Sequence, residues 1–158
     1  MGLYGQWKSA GVTLRNLSQN ISKDADKQLR EDAEYVKDKI VGHIDSQDLP
    51  WASLSPITVR IKKSDKIYVD TGTLRDSITV RGIKSGVRRS TVFIGANSYT
   101  VHSPSGMRMS QLMNILEYGT RYAPPRPLIR PTWEEVRPEI ENRWTKGFVE
   151  RLKNGVVR

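Results

Sequence analysis

Few residues in this sequence are of a type that carries proton or metal chemistry. His43 and His102 are its two histidines, and there is no cysteine. That removes disulfides, thiolate nucleophiles and every cysteine-based zinc or iron-sulfur site. The histidines stand far apart in sequence with no acidic partner at a recognisable spacing. Neither a metal cluster nor a catalytic triad is signalled, and each is expected as an ordinary surface histidine. Glu134 with Glu135, and Glu139 with Glu141, are pairs of the kind used in acid-base work. Both lie on a stretch with helical spacing, where they read as its wet face and the first pair complements the helix dipole. There is no nucleophile elbow, no Walker-type phosphate loop and no glycine-rich dinucleotide fingerprint after a strand. The sequence points away from an enzyme and calls for no cofactor and no metal.

Cations offer a second chemistry. Lysine plus arginine number 26 against 17 acidic residues, a formal charge of +9. That is enough to attract nucleic acid or an acidic protein surface. Arg81, Lys84, Arg88 and Arg89 crowd one stretch, but the remaining cations are scattered, which weakens the reading of a dedicated DNA surface. PPRP could dock as a polyproline ligand, yet it falls between two predicted helices, where a rigid spacer is the better reading.

The elements that would position these residues follow from spacing. Leu14, Leu17, Ile21, Ala25, Leu29, Ala33, Val36, Ile40 and Ile44 recur every three or four positions and predict a long amphipathic helix after an N-terminal extension over 1–11. Positions 45–68 hold Pro50, Pro56, Trp51 and several cations, which favours an extended loop. Trp51 there reads equally as a plug into the core or an anchor for a neighbouring subunit. Thr73 and Asp76 have capping-box spacing and predict a helical turn, with Gly72 permitting a backbone reversal. ITVRG, KSGVRR and STVFIG read as an antiparallel hairpin. A loop or arm over 97–110 carries Tyr99 and His102 and leads to Ser110 as the N-cap of a short helix. Gly119 falls where a left-handed C-cap is wanted. RYAPPRPLIRP holds four prolines and is not expected to be regular. Trp133, Val136, Ile140, Trp144, Phe148 and Leu152 then predict a terminal amphipathic helix. Thr132 and Glu135 form its capping box, and Pro138 marks a kink or a restart. The expected fold is a single α+β domain: long N-terminal helix, small antiparallel sheet or hairpin, short helix and C-terminal helix. A chain of 158 residues can bury about 70% of its extended surface, enough for one core. No stretch approaches the ~20 apolar residues of a membrane span, and the N-terminus lacks a signal core, so synthesis in the cytoplasm is expected.

Three segments in order, DLPWASLSPIT, VDTGTLRDSI and EYGTRYAPPRPLIRPTWEEV, make the chain resemble the tail-completion or neck proteins of long-tailed bacteriophages. Thr71, Gly72, Leu74, Arg75, Ser77 and Ile78 match one family stretch, Glu117, Tyr118, Gly119 and Thr120 a second, and Arg126, Pro127, Arg130 and Pro131 the arginine-proline doublets. The likeness covers about Asp48 to Val136. It departs where Leu128 replaces a usual Phe, and where the family's Tyr-Ala before the Glu-Gly motif is displaced.

The resemblance implies a structural virion protein, made in the host cytoplasm, that forms a ring at the head-proximal end of the tail. Its implied partners are copies of itself, as a homohexamer, with tail-terminator or tail-tube proteins on one side and a head-closure or adaptor protein on the other. Motif residues then serve the fold. Arg75, Arg126 and Arg130 either pair with a carboxylate such as Glu117 or reach an acidic neighbour. Contacts would fall on Trp51, Arg81, Lys84, Arg88, Arg89, Tyr99 and His102, with the hairpin arginines facing DNA in the lumen. The rival reading is a basic nucleic-acid-binding module.

Overall fold

The computed structural model describes residues 3–86, 89–103 and 105–156. Its order is α1 (Leu3–Ser46), α2 (Pro56–Lys62), α3 (Thr73–Asp76), β1 (Ile78–Gly86), β2 (Arg89–Ala96), α4 (Met109–Tyr118) and α5 (Ile129–Val156). The strands form one antiparallel pair, Ile78 opposite Ala96 and Val80 opposite Ile94, with a bulge between Arg81 and Lys84. This is the expected α+β arrangement of long helix, hairpin, short helix and terminal helix.

At 1.5 Å per residue, α1 is about 66 Å long, far more than a body of this size can cover. Its C-terminal half supplies Val36, Ile40 and Ile44 to the core, where they meet Ile67, Tyr68, Leu74, Ile78, Met109, Met113, Leu128, Val136 and Ile140. Complete burial of one such side chain contributes roughly 1.5–3 kcal/mol, so this half holds the helix down. The N-terminal half leaves Val12 and Leu14 exposed. The helix also begins at Leu3, so positions 3–11, expected as an extension, are helical.

The seam between α1 and α5 is polar as well as apolar. Asp32, only 4% exposed, pairs with Arg143 at 2.9 Å and accepts a hydrogen bond from Trp144 Nε1 at 2.7 Å. The Arg143 guanidinium lies over the Tyr35 ring, whose hydroxyl donates to Glu139 at 2.6 Å. Lys39 reaches Glu135 at 2.8 Å. These contacts fix α5 antiparallel to α1.

Several local expectations are corrected. The 45–68 segment is not wholly extended: Ser55 accepts a hydrogen bond from Thr58 N and Pro56 opens the first turn of α2, the pairing that favours helix initiation. In α3 the cap position is Gly72 (φ +80°), not Thr73, and no side chain caps it. α4 starts one residue before Ser110, with Gln111 accepting from Arg108 N at 3.3 Å. Gly119 has the positive φ required (+72°) but an extended ψ (−177°), so it is no left-handed cap. The irregular stretch ends at Leu128, because Ile129, Arg130 and Pro131 already belong to α5. Thr132 is therefore inside α5, donating to Leu128 O at 2.7 Å, and the expected capping box does not form. The helix also continues through Pro138 rather than restarting there. That residue is exposed, so the carbonyl four residues back, deprived of its donor, can be hydrated.

Candidate functional site

The most densely bonded part of the molecule is built from the Glu-Tyr-Gly-Thr and Arg-Pro motifs. The Glu117 carboxylate, at the end of α4, accepts the backbone amides of Leu128 at 2.7 Å, Ile129 at 3.0 Å and Arg130 at 3.1 Å. It thereby serves all three free amide donors at the start of α5, where Pro131 has none to offer, and places negative charge at the positive end of the dipole. Among the described residues no ion pair joins this carboxylate to the guanidinium group of Arg75, Arg126 or Arg130. Arg126, 6% exposed, instead donates from Nε to Ala52 O at 2.7 Å and from Nη2 to Ser53 O at 3.0 Å. Its own carbonyl accepts from the buried Tyr68 hydroxyl at 2.7 Å, and burial pushes that phenol's pKa up. Trp51 Nε1 donates to Pro127 O at 2.6 Å, and the Trp51 and Tyr68 ring centres lie 5.2 Å apart. Trp51 is thus packed against the body and half-buried. Between the motifs, Thr120 N donates to Ala123 O at 2.8 Å and closes a turn.

The Thr-Gly-Thr-Leu-Arg segment is equally internal. Leu74 and Ile78 enter the core, and Ser77 Oγ donates to Leu74 O at 2.7 Å. Thr71 and Thr73 share a hydroxyl contact of 2.6 Å. Arg75 grips Asp45 with two bonds of 2.6 Å, and this fork lowers the Asp45 pKa and raises that of Arg75. Pro131 sits in the first turn of α5, and Arg130 is exposed. Tyr118 is exposed on the last residue of α4.

Both histidines differ from the expectation of bare surface residues. His43 is 8% exposed, its Nδ1 lying 2.7 Å from Asp48 and its Nε2 3.0 Å from Glu135. His102 lies 2.9 Å from Ser105 Oγ through Nδ1 and 3.1 Å from Asp70 through Nε2. Serine, histidine and aspartate thus meet, but with the ring nitrogens exchanged relative to a serine hydrolase, in which Nδ1 faces the acid. Ser105 also belongs to the turn that His102 opens: Gly106 N and Ser105 N donate to His102 O at 2.8 and 3.2 Å, and His102 N donates to Met107 O at 2.7 Å. The constellation fastens the 101–108 turn to Asp70. Asp70 and His102 also line a cavity of about 440 Å³, together with apolar residues such as Leu54, Ile67, Leu74 and Leu112 and the cations Lys62 and Arg126. Among the described residues no group of acidic and histidine side chains is arranged to hold a metal.

Glu117, Arg75 and Arg126 are engaged in bonds within the chain, whereas several large apolar side chains are displayed outside. Phe93, Tyr118 and Trp133 are 58%, 79% and 46% exposed and line one open groove of about 560 Å³ between β2, α4 and the start of α5. Trp133 belongs to the apolar stripe read from the sequence, yet the start of α5 turns it outward. Tyr99 is exposed beneath the Arg81 guanidinium, 4.5 Å from its ring centre. Of the other hairpin cations, Arg88 lies outside the described residues, and Lys84 and Arg89 are placed in the strands by their backbone alone. Among the described residues no helix is long and apolar enough to cross a membrane.

A family model described as "Bacteriophage HK97-gp10, putative tail-component" matches residues 12–119. No curated protein and no solved structure matches.

Proposed function

The chain belongs to the HK97-gp10-like family of bacteriophage tail components, and from that premise we propose that it completes the tail or neck as a ring-forming subunit at the head-tail junction. The match over residues 12–119 carries this reading, because it spans most of the long helix, the hairpin and the motif leading to Gly119. The distribution of polar groups supports it. Glu117, Arg75 and Arg126 are spent on internal bonds, and Phe93, Tyr99, Tyr118, Tyr122 and Trp133 stand exposed on the surface. A subunit of this kind works by surfaces and performs no catalysis. A heterologous contact repeated by a closing rotation gives a ring, and a homohexamer fits the six-fold symmetry expected of such tails.

In this reading the partners are a tail-terminator or tail-tube protein on one axial face and a head-closure or adaptor protein on the other. Arg81, on β1 of the hairpin, lies over the exposed Tyr99 ring, which supports a salt-dependent contact with DNA in the lumen. Light scattering of the purified chain, with negative-stain imaging of the chain alone and with tail-tube protein, tests the reading. Annular particles are expected; a chain that stays monomeric in both settings contradicts it. Retention of duplex DNA by a monomer or dimer would favour the nucleic-acid-binding alternative.

A further inference from the structure

The N-terminal half of α1, only partly covered within the chain, and the aromatic groove are two open surfaces of one chain. Along the helix, Ala10, Leu14, Leu17 and Ile21 follow a four-three-four spacing, which in sequence continues back through Trp7 and Leu3. This is the seam of a helix made to lie against something. Leu14 is 66% exposed and Leu17 and Ile21 are half-buried; the hairpin reaches α1 at Asp26 through Ser90, and α5, which covers the other half of α1, meets it at Asp32 through Arg143 and Trp144 and ends at Val156. At 1.5 Å per residue the end of α5 reaches about the level of Asn20, leaving the helix before it without an α5 neighbour.

The groove wants such an element. Phe93, Tyr118 and Trp133 line it together with Ile94, Met113 and Ile129, an apolar trough of the kind that receives a helix through anchors at i, i+3 and i+7. Leu14, Leu17 and Ile21 have that spacing. The two cannot meet within one chain. Glu135, beside the groove-lining Glu134, is tied to Lys39 at 2.8 Å. Leu14 is 25 positions earlier on the same unbroken helix, about 37 Å away along its axis. Charge favours the match: Leu3–Lys23 carries Lys8, Arg15 and Lys23 with no acidic residue, while Glu117 and Glu134 outnumber Arg130 at the groove.

We propose that the N-terminal half of α1 of one copy docks, through Leu14, Leu17 and Ile21, into the Phe93–Tyr118–Trp133 groove of the next copy. The contact is heterologous, so it repeats head to tail, and it rests on the ring reading by supplying its lateral interface. The cysteine-free chain makes a clean test. Leu14→Cys and Tyr118→Cys proteins are mixed, oxidised and resolved without reductant, with Asn142→Cys as the control partner, while light scattering gives the mass of the unmodified chain. A Leu14–Tyr118 cross-link at least about tenfold above the Asn142 control is expected. The double variant Leu14→Glu, Leu17→Glu should weaken association at least about tenfold with unchanged helical circular dichroism. An oligomer that forms without this cross-link, or that joins Leu14 only to Leu14, overturns the contact and leaves the ring reading standing. A chain that is monomeric at every concentration, alone and with tail-tube protein, and yields no cross-link overturns both.

Discussion

Glu117 and Leu128 are joined across the irregular segment by a 2.7 Å bond from the Leu128 amide to the Glu117 carboxylate, which also takes the amides of Ile129 and Arg130. One side chain thus ends α4 and begins α5, fixing the angle between them. Hydrogen bonds to a charged group contribute about 1.5–3 kcal/mol each, and they are not additive on a shared acceptor. Glu117→Ala should therefore lower unfolding free energy by about 2–3 kcal/mol in urea titrations. Glu117→Gln, which keeps one acceptor and loses the charge at the dipole, should cost about half as much. Equal losses for the two variants would show that the carboxylate's charge is irrelevant.

Gly119 follows immediately, and two separate reasons require it. Its φ of +72° with ψ of −177° is a region open essentially to glycine alone. A Cβ there would also lie 2.7 Å from Pro125 N and 2.8 Å from Ala123 O, both backbone atoms that cannot swing aside. Gly119→Ala should cost roughly 3 kcal/mol or more, read as a large fall in denaturation midpoint or loss of soluble protein. Gly106, at φ +68° with open space around its Cβ position, makes the comparison: Gly106→Ala should cost only about 1–2 kcal/mol. Similar costs at both sites would remove the steric argument.

The helices that bury an apolar face were legible, because three-four spacing survives whatever they pack against. Val36, Ile40, Ile44, Val136 and Ile140 stand in the core as the spacing predicts. Boundaries set by distant partners were not. Nothing within TWEEV reveals that Thr132 is already one turn inside α5, because the cap is Glu117, eleven positions before Leu128. His43 and Asp48 are five apart, outside any familiar helical pairing, and meet only because α1 ends between them. Arg126 could be read as a carboxylate partner, but its guanidinium satisfies two carbonyls of a loop more than seventy positions earlier. The Ser55–Pro56 start of α2 was the one missed element with a local signal, overshadowed by the prolines and cations around it.

Arg126 makes that loop dependent on a fork of donors. A lysine has one ammonium and cannot reproduce Nε and Nη2 at their separate positions. Arg126→Lys should therefore behave nearly like Arg126→Ala, each costing about 2–3 kcal/mol by leaving the carbonyls of Ala52 and Ser53 without their donors. Both should shift the fluorescence of Trp51 to the red as its packing on Tyr68 loosens, with Trp51→Phe in each background isolating that signal. A lysine variant with wild-type stability and emission would mean that charge alone suffices at this position.

The ion pairs of α1 give stability a pH dependence whose sign is fixed. The Arg75 fork depresses the Asp45 pKa, the bond to His43 depresses that of Asp48, and the bond to Lys39 depresses that of Glu135. In the unfolded chain these groups titrate near their ordinary values of 3.8, 3.8 and 4.5. A carboxylate with a depressed folded-state pKa contributes fully above its unfolded value and loses that contribution as pH falls through the folded one. The urea midpoint should fall progressively as pH is lowered from about 4.5 toward 3, as these carboxylates take up protons. Asp45→Asn and Asp48→Asn should each lower the midpoint at neutral pH and flatten the acid limb, because the group that took up the proton is gone. If the double variant kept the full acid slope, the slope would belong to other carboxylates and these pairs would not govern the acid limb.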